Sequence, residues 1–225
     1  MSNKQVVAID GPAGSGKSTV AAKLANRLGF IHLNSGALFR AVGLRAKSEG
    51  LSLEDDSAVA ELAARMQFEF VPTEGGASRL FVDGVEVTGE LGTEEAGKGA
   101  SLLGLLPGVR KVLLEVQRSI AQESSVVVEG RDAGTVVFPD ASHKFFLDAA
   151  PEVRAQRRFL QLKEKGDLNL TLEQVQEQLG ARDEQDSTRE IAPSVQAGDA
   201  EYVDTTRSSI DEVINALAEK ITEKK

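Results

Sequence analysis

The stretch IDGPAGSGKST, residues 9–19, decides the fold. It overlaps the end of the apolar run KQVVAID (4–10), which predicts a buried strand, and it leads into a segment where Val20, Leu24 and Leu28 recur with the spacing of an amphipathic helix. A strand, a glycine-rich turn and a helix in this order present backbone N–H groups and the positive end of the helix dipole to an anion. We therefore expect the turn to bind phosphate.

The turn matches the pattern G-x-x-x-x-G-K-[ST], with Gly11, Gly16, Lys17 and Ser18 at the fixed positions. In this pattern the glycines let the backbone approach phosphate oxygens, the lysine can bridge the β and γ phosphates, and the hydroxyl can bind Mg²⁺. A turn that only links a strand to a helix is the alternative, and the complete match argues against it. The expected triphosphate contacts in this loop are Gly11, Pro12, Ala13, Gly14, Ser15, Gly16, Lys17, Ser18 and Thr19.

Composition and charge limit the remaining possibilities. The chain has 225 residues, 41% of them hydrophobic and 27% charged, as is ordinary for a globular protein. It has no cysteine, which excludes disulfides, thiolate nucleophiles and cysteine-zinc sites. A net charge of -9 argues against broad binding of nucleic acid or acidic membranes. The first ten residues are too polar for a signal peptide and no apolar run reaches a membrane span, so we expect a cytoplasmic protein.

Five apolar segments predict the strands of one sheet. Helical patterns separate them, which predicts an α/β fold of three layers with a mostly parallel sheet covered on both faces. Ligands of such sheets bind at the carboxyl ends of the strands, where the glycine-rich turn lies. The predicted strands are 4–10, 30–33, 124–130, 143–149 and 200–205. Beyond the first helix, the predicted helices are 36–50, 54–65, 93–103, 108–122, 151–188 with a break near 166–169, and 207–222.

The stretch FEFVPTEGGASRLFVDGVEVTG (68–89) has a different texture. Alternating apolar residues, two turn clusters and the pair Asp83-Gly84 predict a hairpin or a small antiparallel sheet. Because it interrupts the alternation of strands and helices, we interpret it as an insertion.

Several later segments narrow the class of phosphate-binding protein. No N-K-x-D motif for reading guanine is present, and motor ATPases are usually larger, which favours a small kinase. The segments GRDAGTVVFPDA, LLEVQR, RDEQDSTREIAP and DAEYVDTT, together with LNSGALFRAV and RAQRR, resemble the bacterial cytidylate kinase family over nearly the whole chain. These segments are more specific than the glycine-rich loop, which many unrelated proteins share.

The resemblance implies a P-loop NTPase fold with core strand order 2-3-1-4-5. It implies a core of about residues 1–60, 104–150 and 191–225, a monophosphate-binding insertion at about 61–103, and a helical lid at about 151–190. It also implies transfer of the γ-phosphoryl group of ATP to CMP or dCMP, with Mg²⁺ as cofactor. No apolar stripe stands out at the surface, which favours a monomer.

The resemblance assigns residues to each substrate. Ser35, Arg40, Arg131 and Arg189 correspond to residues that bind the CMP phosphate, Ser101, Arg110 and Asp132 to those that read cytosine, and Arg182 and Asp186 to those that reach the ribose. Arg154, Arg157 and Arg158 are candidates for the ATP phosphates, and Glu129 for holding Mg²⁺ through water. The candidate catalytic residues are Lys17, Arg131, Arg157, Arg158 and Arg189.

These assignments suit the chemistry of phosphoryl transfer. Charge spreads over the equatorial oxygens in a loose transition state, so catalysis is mostly positioning and stabilisation by cations. The attacking phosphate oxygen is already ionised, so no strong general base is needed, and we assign no role to either histidine.

Phe39 stands where the family often has tyrosine, which removes a hydroxyl near the acceptor phosphate.

Two alternatives remain open at this point. The first is a kinase of the same class that acts on UMP, AMP or a non-nucleotide alcohol; Asp132 and Arg110 argue against it. The second is an ATP-binding regulator without catalytic activity, which would require that the arginines assigned to the acceptor have no functional role.

Overall fold

A five-stranded parallel sheet forms the centre of the molecule. The computed structural model describes residues 4–164, 166 and 170–223. The sheet strands are β1 (Val6–Asp10), β2 (Ile31–Asn34), β6 (Val126–Glu129), β7 (His143–Asp148) and β8 (Glu201–Asp204), in the order β2-β6-β1-β7-β8. All four neighbouring pairs run parallel. Counted among the sheet strands alone, the order is 2-3-1-4-5, as the resemblance implied.

Helices cover both faces of this sheet. Along β1, Val7 and Ile9 pack with α1 (Lys17–Leu28) and α8 (Ile210–Glu223), whereas Ala8 packs toward the opposite face. That face is covered by α2 (Ser35–Ser48), α3 (Asp56–Arg65) and α5 (Pro107–Glu123). The side chains of one strand alternate between two apolar cores, which confirms the predicted three layers.

A separate antiparallel sheet forms the predicted insertion. Its strands are β3 (Phe68–Val71), β4 (Arg79–Val82) and β5 (Val85–Glu86), so the region has three strands rather than a single hairpin. A short 3-10 turn, Glu90–Gly92, leads to α4 (Glu94–Leu103), which packs against α2. A Cβ on Gly43 of α2 would lie 3.6 Å from the backbone of Gly99 of α4, so these glycines allow close approach of the two helices.

The charged segment after β7 forms two helices that pack together, α6 (Pro151–Glu164) and α7 (Leu172–Thr188). A break in the helical segment was predicted at 166–169. Gly166, its first residue, has a positive φ of 83°, and residues 167–169 lie outside the described residues. A capping box at Thr171 and Gln174 begins α7.

One element was not predicted. A π turn, Ala133–Val137, follows β6 in a stretch for which neither a strand nor a helix was predicted. Asp10, the last residue of β1, accepts hydrogen bonds from the backbone N–H groups of Ala133 and Gly134 at 2.8 and 2.7 Å. This long-range contact holds the start of the turn, and local sequence patterns do not report it. Across the described parts of the chain, no helix is both long and apolar enough to cross a membrane.

Candidate active site

The glycine-rich loop lies between β1 and α1, and packing as well as conformation explains its glycines. Gly11, Gly14 and Gly16 have φ values of 145°, 78° and 89°, in the region that favours glycine. A Cβ on Gly11 would lie 1.9 Å from the carbonyl oxygen of Leu147, and one on Gly14 would lie 2.7 Å from that of Arg154. The loop therefore packs directly on the backbones of β7 and α6.

Lys17 lies deep in this loop. Its side chain is buried, and Nζ donates a 2.7 Å hydrogen bond to the carbonyl oxygen of Pro12. Burial, with the neighbouring charge of Arg131, lowers the pKa of Lys17 well below its usual value, although Glu129 opposes the shift. An anionic ligand beside Nζ would favour the charged form.

Glu129 ends β6 next to the start of α1. Its Oε2 accepts a 2.6 Å hydrogen bond from the Ser18 hydroxyl, and its Oε1 lies 3.3 Å from Nε2 of His32. Burial alone would raise the pKa of Glu129, but His32, Lys17 and Ser18 outweigh it and lower the pKa to about 2. The carboxylate is therefore ionised at neutral pH.

Ser18 and Glu129 together fit Mg²⁺. A hydroxyl and an ionised carboxylate are hard oxygen donors, and Mg²⁺ at nucleotide sites usually uses one or two protein oxygens together with phosphates and water. Within the described residues no group of three or more His, Cys, Asp or Glu could hold a metal by itself. A Mg²⁺ ion bound by these two residues would take its remaining ligands from phosphate and water.

Cations from four elements converge beside the loop. Burial and the charges of Arg131 and Arg158 lower the pKa of Arg40 on α2. Burial and the charge of Arg131 lower the pKa of Arg182 on α7 to about 10, and the charges of Arg40 and Arg158 add to this shift. Like charges held this close are unfavourable unless an anion compensates them. Within the described chain, Nε of Arg182 is buried and has no hydrogen-bond partner.

A second group of ion pairs surrounds Asp132, at the far wall of the site. Arg110 donates through Nη2 to Oδ2 of Asp132, and Nη2 of Arg189 lies 3.5 Å from Oδ1. Burial raises the pKa of Asp132, and both arginines oppose that shift. Arg110 also lies over the ring of Phe39, 5.8 Å from its centroid, so the two side chains make a cation–π contact.

Asp186 of α7 links the two groups. Its Oδ2 accepts a 2.8 Å hydrogen bond from Nε of Arg131, and its Oδ1 lies 3.7 Å from Nη1 of Arg189. Nε of Arg182 lies 4.0 Å from Oδ2. One carboxylate thus orients arginines that were assigned separately to the phosphate and the ribose.

Most of the candidate residues line one open cleft of about 850 Å³. The cleft brings together Ala13, Gly14, Lys17, Ser18, Ser35, Arg40, Ser101, Arg110, Glu129, Arg131, Asp132, Arg158, Arg182, Asp186 and Arg189.

The other two candidates for the ATP phosphates, Arg154 and Arg157, donate hydrogen bonds to protein groups. Arg154 donates to the carbonyl oxygens of Ala13 and Ala149 at 3.1 and 3.0 Å. Arg157 donates to the hydroxyl and carbonyl oxygens of Thr205 at 3.0 and 2.7 Å. Their predicted contacts with ATP phosphates stay predictions.

Three residues near the loop were missed by sequence reasoning. Thr205 donates through Oγ1 to the carbonyl oxygen of Ser15 at 2.9 Å, Asp183 accepts from the backbone N–H of Ala13 at 3.1 Å, and Asp10 holds the π turn. Asp183 stands in the charged segment RDEQDSTR, three positions before Asp186, and this spacing was the only signal for it.

The strand, loop and helix geometry, the cation-lined cleft and the parallel sheet define a P-loop kinase. Two solved structures share this fold: an uncharacterized protein from Eubacterium ventriosum (TM-score 0.56, 13% identity, 97% of this chain and 99% of that one) and shikimate kinase from Acinetobacter baumannii (TM-score 0.50, 15% identity, 99% and 96%).

Sequence comparison identifies the family. The family model described as cytidylate kinase matches residues 7–223. Curated relatives named cytidylate kinase are 44% identical in Geobacter sp. strain M21 (99% of this chain, 94% of the relative) and 45% identical in Pseudomonas aeruginosa (94% and 93%). The chain belongs to the cytidylate kinase family.

Proposed function

We propose that this protein transfers the γ-phosphoryl group of ATP to CMP or dCMP, giving ADP and CDP or dCDP, with Mg²⁺ as cofactor. The single observation that carries the proposal is the cleft in which the phosphate-binding loop faces the cations of Arg40, Arg131 and Arg182 and the paired carboxylate of Asp132. Phosphate-binding cations and a base-reading carboxylate in one cleft fit a nucleoside monophosphate as acceptor.

The donor side is formed by the loop and the start of α1. Backbone N–H groups of residues 11 and 14–19 and Nζ of Lys17 bind the triphosphate; Pro12 has no N–H, and that of Ala13 is bound to Asp183. Ser18 and Glu129 would hold Mg²⁺, Glu129 through water. When bound there, Mg²⁺ would neutralise charge on the β and γ phosphates. Lys17, Arg131, Arg158 and Arg189 stabilise the charge of the transferring group, with Arg157 as the further candidate catalytic residue.

The acceptor side is formed by α2, α4, α5, α7 and the loop after β6. Ser35, Arg40, Arg131 and Arg189 bind the CMP phosphate and align its oxygen with the γ phosphorus, and Arg182 and Asp186 bind the ribose. Ser101, Arg110 and Asp132 read the base, because a carboxylate accepts from the amino group of cytosine but repels the carbonyl that uracil has there.

Closure of the cleft completes the proposed mechanism. The insertion at 61–103 and the lid at 151–190 move over the two nucleotides relative to the core, which excludes water that would otherwise hydrolyse ATP. We further propose that the protein acts as a monomer in the cytoplasm, without a nucleic-acid partner.

The test is production of ADP from Mg-ATP with CMP, dCMP, UMP, AMP and GMP offered singly. Strong turnover with CMP and dCMP and little with the others is expected. Comparable turnover with UMP would reject the role of Asp132 in reading the base but would still support a nucleoside monophosphate kinase. No turnover with any acceptor would reject the proposed function in favour of an ATP-binding regulator.

A further inference from the structure

Asp183 of α7 joins the acceptor side of the cleft to the phosphate-binding loop. Its Oδ1 accepts a 3.1 Å hydrogen bond from the backbone N–H of Ala13, and its Oδ2 accepts from Nη1 of Arg154. The same Nη1 donates to the carbonyl oxygen of Ala13 at 3.1 Å. Both polar groups of Ala13 are therefore held by side chains from the helical pair α6 and α7.

These contacts are built into the packing. The side chains of Arg154 and Asp183 are only 12% and 20% exposed, and Nε of Arg154 is fixed by the carbonyl oxygen of Ala149. Gly14 lies so close to the backbone of Arg154 that a Cβ there would be 2.7 Å from its carbonyl oxygen. In the conformation of this structure the loop thus has a defined position relative to both helices.

The same part of α7 carries proposed acceptor residues. Asp183 and Asp186 are three residues apart and so lie on neighbouring positions of one helix face. Asp186 holds Arg131 at 2.8 Å, while Arg182 lies in the cation cluster beside Lys17. One helical turn therefore contacts the donor loop at Asp183 and the acceptor wall at Asp186.

We propose that Asp183 is a positioning residue for phosphoryl transfer, which sets the distance between the donor loop and the acceptor residues of α7 through Ala13 and Arg154. This inference rests on the proposed function. In-line transfer requires the reacting atoms to lie about 3–3.5 Å apart, and a displacement of about 1 Å can cost about 100-fold in rate. A residue with this role affects kcat far more than the binding of either nucleotide alone.

The test variant is Asp183→Asn, which keeps the shape of the side chain but has one acceptor oxygen for two donors. The matched control is Glu184→Gln, which makes the same charge change at the next, exposed position of α7. With Mg-ATP and CMP we expect kcat of Asp183→Asn to fall by about 10- to 100-fold while both KM values change by less than about threefold. Glu184→Gln should match the wild type.

A binding measurement separates positioning from a structural role. Calorimetry measures the affinities for CMP, for a non-hydrolysable ATP analogue and for an analogue that links ATP to CMP. Asp183→Asn should lower the affinity for the linked analogue about tenfold more than the product of its effects on the two separate ligands. The reason is that only the binding of the linked analogue depends on the distance between the two subsites. An unchanged kcat would overturn the inference. A similar loss for all three ligands with a lower Tm would also overturn it, because that pattern reports local misfolding. A wild-type enzyme that does not turn over CMP would instead reject the proposed function.

Discussion

The Ser18 hydroxyl donates a 2.6 Å hydrogen bond to Oε2 of Glu129, which joins the first turn of α1 to the last residue of β6. The two residues are 111 positions apart in the chain. Their oxygens meet because β1 and β6 are parallel neighbours, so the loop after one strand and the end of the other lie at the same edge of the sheet.

This contact predicts the effect of Glu129→Gln. The amide cannot support Mg²⁺ as the carboxylate does, so kcat/KM for Mg-ATP should fall by about 10- to 100-fold and the half-saturating Mg²⁺ concentration should rise. A Mg²⁺ titration of the steady-state rate measures both effects. Glu123→Gln, at an exposed position near the end of α5, is the control. If Glu129→Gln kept the titration curve of the wild type, Glu129 would have no role at the metal.

Asp132→Ala should reduce discrimination between CMP and UMP. Removing the carboxylate removes both the acceptor for the cytosine amino group and the repulsion of the uracil carbonyl, so the ratio of kcat/KM values should narrow by about 10- to 100-fold. Competing turnover of the two nucleotides measures the ratio, with the exposed Asp140→Ala as control. An unchanged ratio would mean that another group reads the base.

Gly11→Ala should destabilise the fold as well as abolish ATP binding. A Cβ at this position would lie 1.9 Å from the carbonyl oxygen of Leu147, so the loop or β7 must shift, at roughly 3 kcal/mol. Gly29→Ala is the control, because Gly29 also has a positive φ but no atom within 4 Å of the place that its Cβ would take, and should cost only about 1 kcal/mol. Urea unfolding measures the free energy of unfolding of both variants, and equal losses of stability would contradict the packing role of Gly11.

Asp10 predicts an unusual pH dependence of stability. Burial raises its pKa to about 6 and nearby Asp132 adds to the shift, although the N–H groups of Ala133 and Gly134 and the charge of Lys17 oppose it. The folded state then holds the proton more tightly than the unfolded state, whose pKa is near 3.8. The contribution of Asp10 to stability should therefore decrease as pH rises from about 4 to about 6, by up to roughly 3 kcal/mol.

The comparison with Asp10→Asn isolates this effect, since the asparagine does not titrate. The difference in free energy of unfolding between wild type and variant should change over that pH range and be flat above about pH 7. A difference that is constant from about pH 4 to about pH 7 would show that the pKa of Asp10 is not raised.

Lid closure predicts protection from trypsin. Lys163 is exposed near the end of α6, so cleavage after it reports on the region 151–190. An analogue that links ATP to CMP should slow this cleavage about tenfold or more, whereas CMP alone should slow it less. The same cleavage rate with and without the analogue would show that this segment does not close.

Local sequence patterns were sufficient to predict the strands and the α-helices of the fold, but not the π turn after β6. The β1 strand, the loop and α1 follow from one short continuous stretch, and Gly29 ends α1 in the left-handed conformation that glycine favours. The order of the strands in the sheet did not follow from their spacing along the chain, because that spacing is compatible with several different crossover connections. That order was implied by the family resemblance and agrees with the sheet.

The site could be predicted as residue types but not as contacts. Arg110, Arg131 and Arg189 stood out in charged motifs, yet their partners Asp132 and Asp186 lie up to 57 positions away in the chain. Which arginine pairs with which carboxylate depends on how α5, α7 and the loop after β6 meet. The contact of Asp183 with Ala13 spans 170 positions and has no local signature.

The anchoring of the loop by Thr205 has a consequence for the order of assembly during translation. Ser15 is held by the hydroxyl of Thr205, whose own N–H binds the carbonyl oxygen of Asp148 at the end of β7. The loop leaves the ribosome well before its anchor, which is made 190 residues later. The nucleotide site of a nascent chain therefore lacks this hydrogen bond until Thr205 has emerged, so we expect ATP to bind late in the synthesis of the chain.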